Sequence, residues 1–144
     1  MRTILDTNVI SELMRPRPHP RVIEWVDSMP RASLWTTAVS VMELTAGIER
    51  TVDPVRRLAL ESAFAAQVLH HFKDRVFSFD PEAATVAGRF LALLHSAGHN
   101  PDVRDVQIAA MSHRHAVPLA TRNVRHFVLL PIETIDPWTA DASA

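Results

Sequence analysis

Four acidic residues in this chain, Asp6, Glu43, Asp102 and Asp105, stand at positions where carboxylates could do chemistry. Asp6 closes the short run Arg2-Thr3-Ile4-Leu5 and is followed by Thr7 and Asn8. Val9, Ile10 and Leu13 then resume at helical spacing. Asp, Thr and Asn satisfy orphan N–H groups at helix starts, so the stretch reads as a buried strand running into a helix. Asp6 then falls at the carboxyl end of a strand, where open α/β sheets build ligand crevices. Glu43 lies between Met42 and Leu44 near another helix start, and its spacing from Ser40 is also that of a capping box. Asp102 and Asp105 open a further helix, where first-turn acids complement the dipole and residues three apart share a face. Each acid therefore has a structural use as well as a chemical one. Asp6, Glu43 and Asp105, brought together, would repel one another and be costly to desolvate. Mg²⁺ or Mn²⁺, hard cations that prefer oxygen ligands, would offset that cost and could activate water against a phosphodiester.

The elements that must position these acids alternate along the chain. Arg15-Pro16-Arg17-Pro18-His19-Pro20 reads as an exposed turn. It leads to a helix over about 21–29, with Val22, Ile23, Trp25, Val26 and Met29 forming a broad apolar stripe. Residues 34–36 suit a strand, and 37–50 and 54–72 suit helices. Val76-Phe77-Ser78-Phe79 suits a strand, after which Asp80 can cap a helix and Pro81 take its first position. That helix runs to about His95, where Gly98 can end it. Helix 102–115, strand 117–120, the turn Thr121-Arg122-Asn123 and strand 132–135 follow. Strands separated by helices imply right-handed crossovers and a mostly parallel sheet covered on both faces. We expect one α/β domain over residues 1–138 and a loose tail over 139–144.

Composition agrees with an ordinary globular domain. The 144 residues are 47% hydrophobic and 22% charged, with a formal net charge of −1, so bulk charge does not announce nucleic-acid binding. One lysine, Lys73, stands against fourteen arginines, a bias that either phosphate recognition or codon usage explains. No apolar run approaches the ~20 residues of a membrane span, and no secretory signal is visible. The absence of cysteine excludes thiolate metal sites and suits the cytoplasm.

Taken together, Leu5-Asp6-Thr7-Asn8-Val9-Ile10-Ser11-Glu12, Val41-Met42-Glu43-Leu44-Thr45-Ala46-Gly47, Asp105-Val106-Gln107-Ile108-Ala109-Ala110 and Ala120-Thr121-Arg122-Asn123 resemble the motifs of PIN-domain ribonucleases. The likeness is to the VapC toxin type of bacterial type II toxin–antitoxin pairs, in its FitB-like branch, whose typical ending Asp136-Pro137-Trp138 resembles. The resemblance implies a five-stranded parallel sheet in the order 3-2-1-4-5 with helices on both faces. It implies Mg²⁺- or Mn²⁺-dependent hydrolysis of RNA, leaving a 5′-phosphate and a 3′-hydroxyl. It assigns the metal-binding and catalytic acids to Asp6, Glu43 and Asp105, with Thr7 and Asn8 as polar neighbours. Many relatives carry Asp where this chain has Asn123, which removes a charge from the second metal position and leaves Asp102 as a possible substitute. The implied partners are an RNA substrate, a small VapB-like antitoxin and a second copy of the chain, with no membrane. The stripe over Val22 to Met29 is a candidate docking surface for the antitoxin.

Other readings stay open on the residues alone. Arg122, Arg125 and His126 suit either phosphate contacts or an ordinary basic loop. His95 and His99 have a zinc-like spacing that Gly98 interrupts, and His70, His71, His113 and His115 read as solvated. A PIN nuclease of RNA processing outside a toxin–antitoxin pair, and a catalytically silent α/β binding module with acidic caps, are the alternative functions.

Overall fold

The structure, a computed structural model, describes residues 1–140. The central strand β1 (Thr3–Leu5) pairs in parallel with β2 (Leu34–Thr37) on one side and β4 (Leu119–Ala120) on the other. Beyond them lie β3 (Val76–Phe77), paired with β2, and β5 (Thr134–Ile135), paired with β4. The order β3-β2-β1-β4-β5, parallel throughout, is the expected one. The helices are α1 (Thr7–Leu13), α2 (Pro20–Asp27), α3 (Ala38–Glu49), α4 (Pro54–Phe64), α5 (Pro81–Ser96) and α6 (Val103–His115).

Side chains alternate across a strand, so adjacent residues feed opposite faces of the sheet. Ile4 and Leu119 join Phe90, Leu94, Val106 and Met111 beneath α5 and α6. Leu5 and Ala120 join Val9, Ile10, Val22, Trp25, Leu44 and Ile48 on the opposite face. Ile4, Leu5 and Leu119 are fully buried. Each such aliphatic contributes roughly 1.5–3 kcal/mol relative to exposure. β1 is buried on both faces, which leaves its carboxyl end as its outlet to solvent.

Several boundaries differ from expectation for local reasons. β4 begins at Leu119 because Pro118 has no N–H to donate, although its carbonyl accepts from Ile4 at 2.9 Å. The helix expected over 54–72 passes into a π-helical stretch at Ala65–His70, which shifts its helical phase and buries Val68. Asp80 caps α5 through the Ala83 N–H at 2.8 Å, and Gly98 follows that helix at φ +83°. In α2, Val22 and Trp25 are consumed by the core, with Val26 and Met29 packed against it. Among the stripe residues Ile23 stands exposed, and the half-buried Val26 and Met29 line a surface groove with Leu13. His115 is not simply solvated: its ring stacks on Phe77 with centroids 4.2 Å apart, and burial lowers its pKa. At the far end, the Thr139 and Ala140 N–H groups both bond to the Asp136 carbonyl. The rest of the expected tail, residues 141–144, lies outside the described residues.

Candidate functional site

The strand order reverses at β1 and β4, whose carboxyl ends lie side by side. By the crevice rule a ligand belongs there. Asp6 leaves β1 at this point and caps α1, its Oδ1 accepting the Thr7 N–H at 2.8 Å. Its Oδ2 accepts the Thr121 hydroxyl at 2.8 Å and the Asn8 amide at 3.4 Å. Cap and site are therefore the same residue. Asn8 secures the neighbouring turn: its Nδ2 donates to Thr121 Oγ1 at 3.2 Å, and its Oδ1 accepts the Arg122 N–H at 3.1 Å.

Glu43 comes from α3. Thr37, rather than Ser40, caps that helix, accepting the Ser40 N–H at 3.1 Å, so the capping box does not form. The side chains instead make a relay. Thr37 Oγ1 is 3.3 Å from Ser40 Oγ, Ser40 Oγ is 2.8 Å from Thr7 Oγ1, and Thr7 Oγ1 is 2.9 Å from Glu43 Oε1. A carboxylate can only accept, so the hydroxyls donate in series and end on Glu43. Its second oxygen lies 3.6 Å from Arg104 Nη1.

Asp105 sits in the first turn of α6, its Oδ2 3.0 Å from His126 Nδ1. His126 belongs to a 3₁₀ turn, Val124–Phe127, that follows β4. Asp102 is the α6 cap, accepting the Arg104 N–H at 2.9 Å and gripping the Arg104 guanidinium at 2.8 and 3.1 Å. Those bonds hold its carboxyl below the usual carboxylate range.

Asp6, Glu43 and Asp105 line one open mouth of about 390 Å³, together with Thr7, Asn8, Arg122 and Asn123. Asp102 lines the adjoining cleft instead. Glu12, Arg15, Thr121 and Trp138 also take part, although none stood out as a site residue in the sequence. Glu12 follows Asn8 by one helical turn, a spacing that could have marked it. It is buried, and its Oε2 accepts the His19 N–H at 2.9 Å. The Arg122 guanidinium lies over the Trp138 ring, 5.1 Å from its centroid.

Burial pushes the Asp6 carboxyl up to about 6. Bonds from Thr121 and Thr7 restrain the rise, and the charges of Asp105 and Glu43 add to it. Asp6 is 3% exposed and has no cationic partner among the described residues. Glu43 and Asp105 are each turned toward a basic side chain, and among the described residues no three such groups close round one position. The donor chemistry still suits a hard divalent cation: the three acids offer oxygen, and the buried one lacks a countercharge.

A family model described as PIN domain matches residues 3–129. The chain belongs to the PIN-domain family. This PIN domain is 30% identical over 135 residues to the toxin FitB of Neisseria gonorrhoeae, with 94% of this chain and 97% of that protein covered. It is 31% identical over 135 residues to the VapC ribonuclease Y4jK of Sinorhizobium fredii, with 94% and 96% covered. The crystal structure of FitAcB from Neisseria gonorrhoeae matches it with a TM-score of 0.87 at 29% identity, covering 96% of this chain and 99% of that one. The acidic mouth opens where the strand order reverses.

Proposed function

We propose that this PIN domain is a Mg²⁺- or Mn²⁺-dependent ribonuclease, the cytoplasmic toxin of a type II toxin–antitoxin pair. The observation that carries the reading is the acidic mouth: buried Asp6, without a cationic partner among the described residues, shares it with Glu43 and Asp105. The names of similar proteins, toxin FitB and VapC ribonuclease, support it. Asp6, Glu43 and Asp105 would hold the metal. A bound divalent cation supplies charge neutralisation at the phosphoryl group and a lowered pKa for water.

The chain's own residues do the rest. Thr121 and the Thr7 N–H aim the two Asp6 oxygens, and the hydroxyl relay aims Glu43. Arg122, at the rim of the mouth and over the Trp138 ring, offers a guanidinium group to phosphate, and Arg15, paired with Glu12, adds positive charge beside it. Asn123, also at the rim, orients substrate or water without adding charge. A small antitoxin and a second copy of the chain are the proposed partners. Exposed Met42 on α3 and Val55 and Leu58 on α4 support a helix-binding surface there, beside the expected one on α2.

The test is calorimetry with Mn²⁺ beside cleavage of RNA oligonucleotides, in wild type and Asp6→Asn. Binding and cleavage that both vanish in Asp6→Asn uphold the reading. Unchanged Mg²⁺-dependent cleavage in that variant overturns it. A pull-down from the native host that recovers no small partner removes the antitoxin.

A further inference from the structure

Asp105 lines two cavities at once. One is the acidic mouth, and the other is a cleft of about 360 Å³ between the start of α6 and the turn after β4. The floor of the cleft is apolar, made by Leu94, Val106, Phe127 and Leu130, all buried in the core. Its rim is polar, with exposed Asn100 and Arg125 beside the carboxylates of Asp102 and Asp105. Leu129 also borders it while 48% exposed, an apolar side chain that a ligand would cover.

The opposite flank of the mouth has different chemistry. The cavity beside Glu43 is lined by Arg15, Arg50, Arg56 and Arg104. A nucleic acid strand with one phosphodiester at the mouth must continue along both flanks. Arg50 and Arg56 suit the phosphates of one continuation, while Arg15 and Arg104 are paired with Glu12 and Asp102. The cleft beside Asp105 has an apolar floor for a base face, an amide and a guanidinium for base edges, and no comparable ring of arginines.

We infer that this cleft receives one nucleobase of the RNA strand, the base adjoining the phosphodiester held at the acidic mouth. Leu129 and the floor cover its face, and Asn100 and Arg125 meet its edge. The inference rests on the nuclease reading above. It makes the cleft a determinant of which strand positions are cut.

The test is an abasic scan. Short single-stranded oligoribonucleotides of mixed sequence, each with one base removed, are cleaved by wild type, Arg125→Ala and Leu129→Ala in Mn²⁺. Both altered side chains are exposed, so the fold is retained. At one position next to the cut, base removal should lower wild-type kcat/KM by about 10-fold or more. The two variants should lose a similar factor on intact RNA and respond little to removal of that base. Wild-type cleavage that is indifferent to base removal at every position overturns the subsite and leaves the nuclease reading standing. An Arg125→Ala loss that is equal on intact and abasic RNA also overturns it, since Arg125 would then be meeting phosphate. Failure of wild type to cleave any oligonucleotide overturns both.

Discussion

Thr121 Oγ1 donates to Asp6 Oδ2 at 2.8 Å, joining the carboxyl ends of β4 and β1 across 115 positions of sequence. The same oxygen accepts from Asn8 Nδ2 at 3.2 Å and from the Asn123 N–H at 3.1 Å. One buried hydroxyl thereby sets the orientation of the central acid and the start of the following turn. Thr121→Val keeps the shape and removes the donor. Losing the shorter of the two bonds to a buried carboxyl oxygen, together with the acceptor for Asn8 Nδ2 and the Asn123 N–H, should cost about 1–3 kcal/mol of unfolding free energy. Metal affinity should fall by about 10- to 100-fold, as is usual when the support of a ligand is lost. Urea titration and Mn²⁺ calorimetry measure the two effects, and Thr121→Ser should restore both.

Asp6 itself should make stability depend on pH. Its carboxyl titrates near 6 in the folded protein against 3.8 as the ordinary value, so the native state holds the proton more tightly than the unfolded chain. The sign follows: metal-free stability should fall as pH rises between those values and level off above the upper one. Asp6→Asn should flatten that fall and, at neutral pH in chelator, raise unfolding free energy by on the order of 2 kcal/mol. Mn²⁺ should reverse the order by stabilising the wild type alone. A metal-free Asp6→Asn protein less stable than wild type at neutral pH would show that hydrogen bonding at Asp6 outweighs its burial.

Arg104 competes with any cation for Glu43, its Nη1 lying 3.6 Å from Oε2. The guanidinium is 49% exposed, so the competition is modest. Arg104→Gln should tighten Mn²⁺ binding by about 2- to 5-fold. RNA binding at low salt should weaken at the same time, because the flank beside Glu43 loses a positive charge. Calorimetry and filter binding separate the two, and weakened binding of both ligands would refute the competition.

Asn123 stands at the rim of the mouth without charge. Three acids against two divalent cations leave an excess of positive charge, so we expect one tight Mn²⁺ in the free protein and a weaker second. Asn123→Asp should tighten the second by about 10-fold. Asp102→Asn should change neither, because Asp102 is occupied by Arg104 and the α6 cap. Loss of one tight site in Asp102→Asn would assign that residue to the metal.

Much of this was legible in the chain, for reasons that local patterns contain. The run into Asp6-Thr7-Asn8 announces a strand end and a cap because apolar burial and N–H capping use different residue types. Asp80-Pro81 and Gly98 likewise mark α5 with backbone chemistry alone. The order of the strands came through family resemblance and not from any single segment, since β3, β4 and β5 are two residues each and carry almost no pattern. The Ser40–Glu43 spacing misled because Thr37, three residues earlier, competes for the same N–H and wins. The Thr121–Asp6 bond, the pairing of Arg104 with Glu43 and the contact of His126 with Asp105 link separate elements, and local periodicity carries no trace of them. The stripe on α2 illustrates the opposite limit: periodicity shows that a face is apolar, but not whether the core or a partner covers it.

The relay from Thr37 to Glu43, and the pairing of β1 with β4, have a consequence for biosynthesis. Asp6 and Glu43 leave the ribosome early, but Asp105 and the hydroxyl that steadies Asp6 emerge only after most of the chain has been made. Synthesis at roughly 5–20 residues per second leaves a partly finished chain in the cell for several seconds. Throughout that time the acids lack their strand partner and cannot be drawn together. The acidic mouth therefore cannot assemble until the segment carrying β4 and Thr121 has been made and has paired with β1.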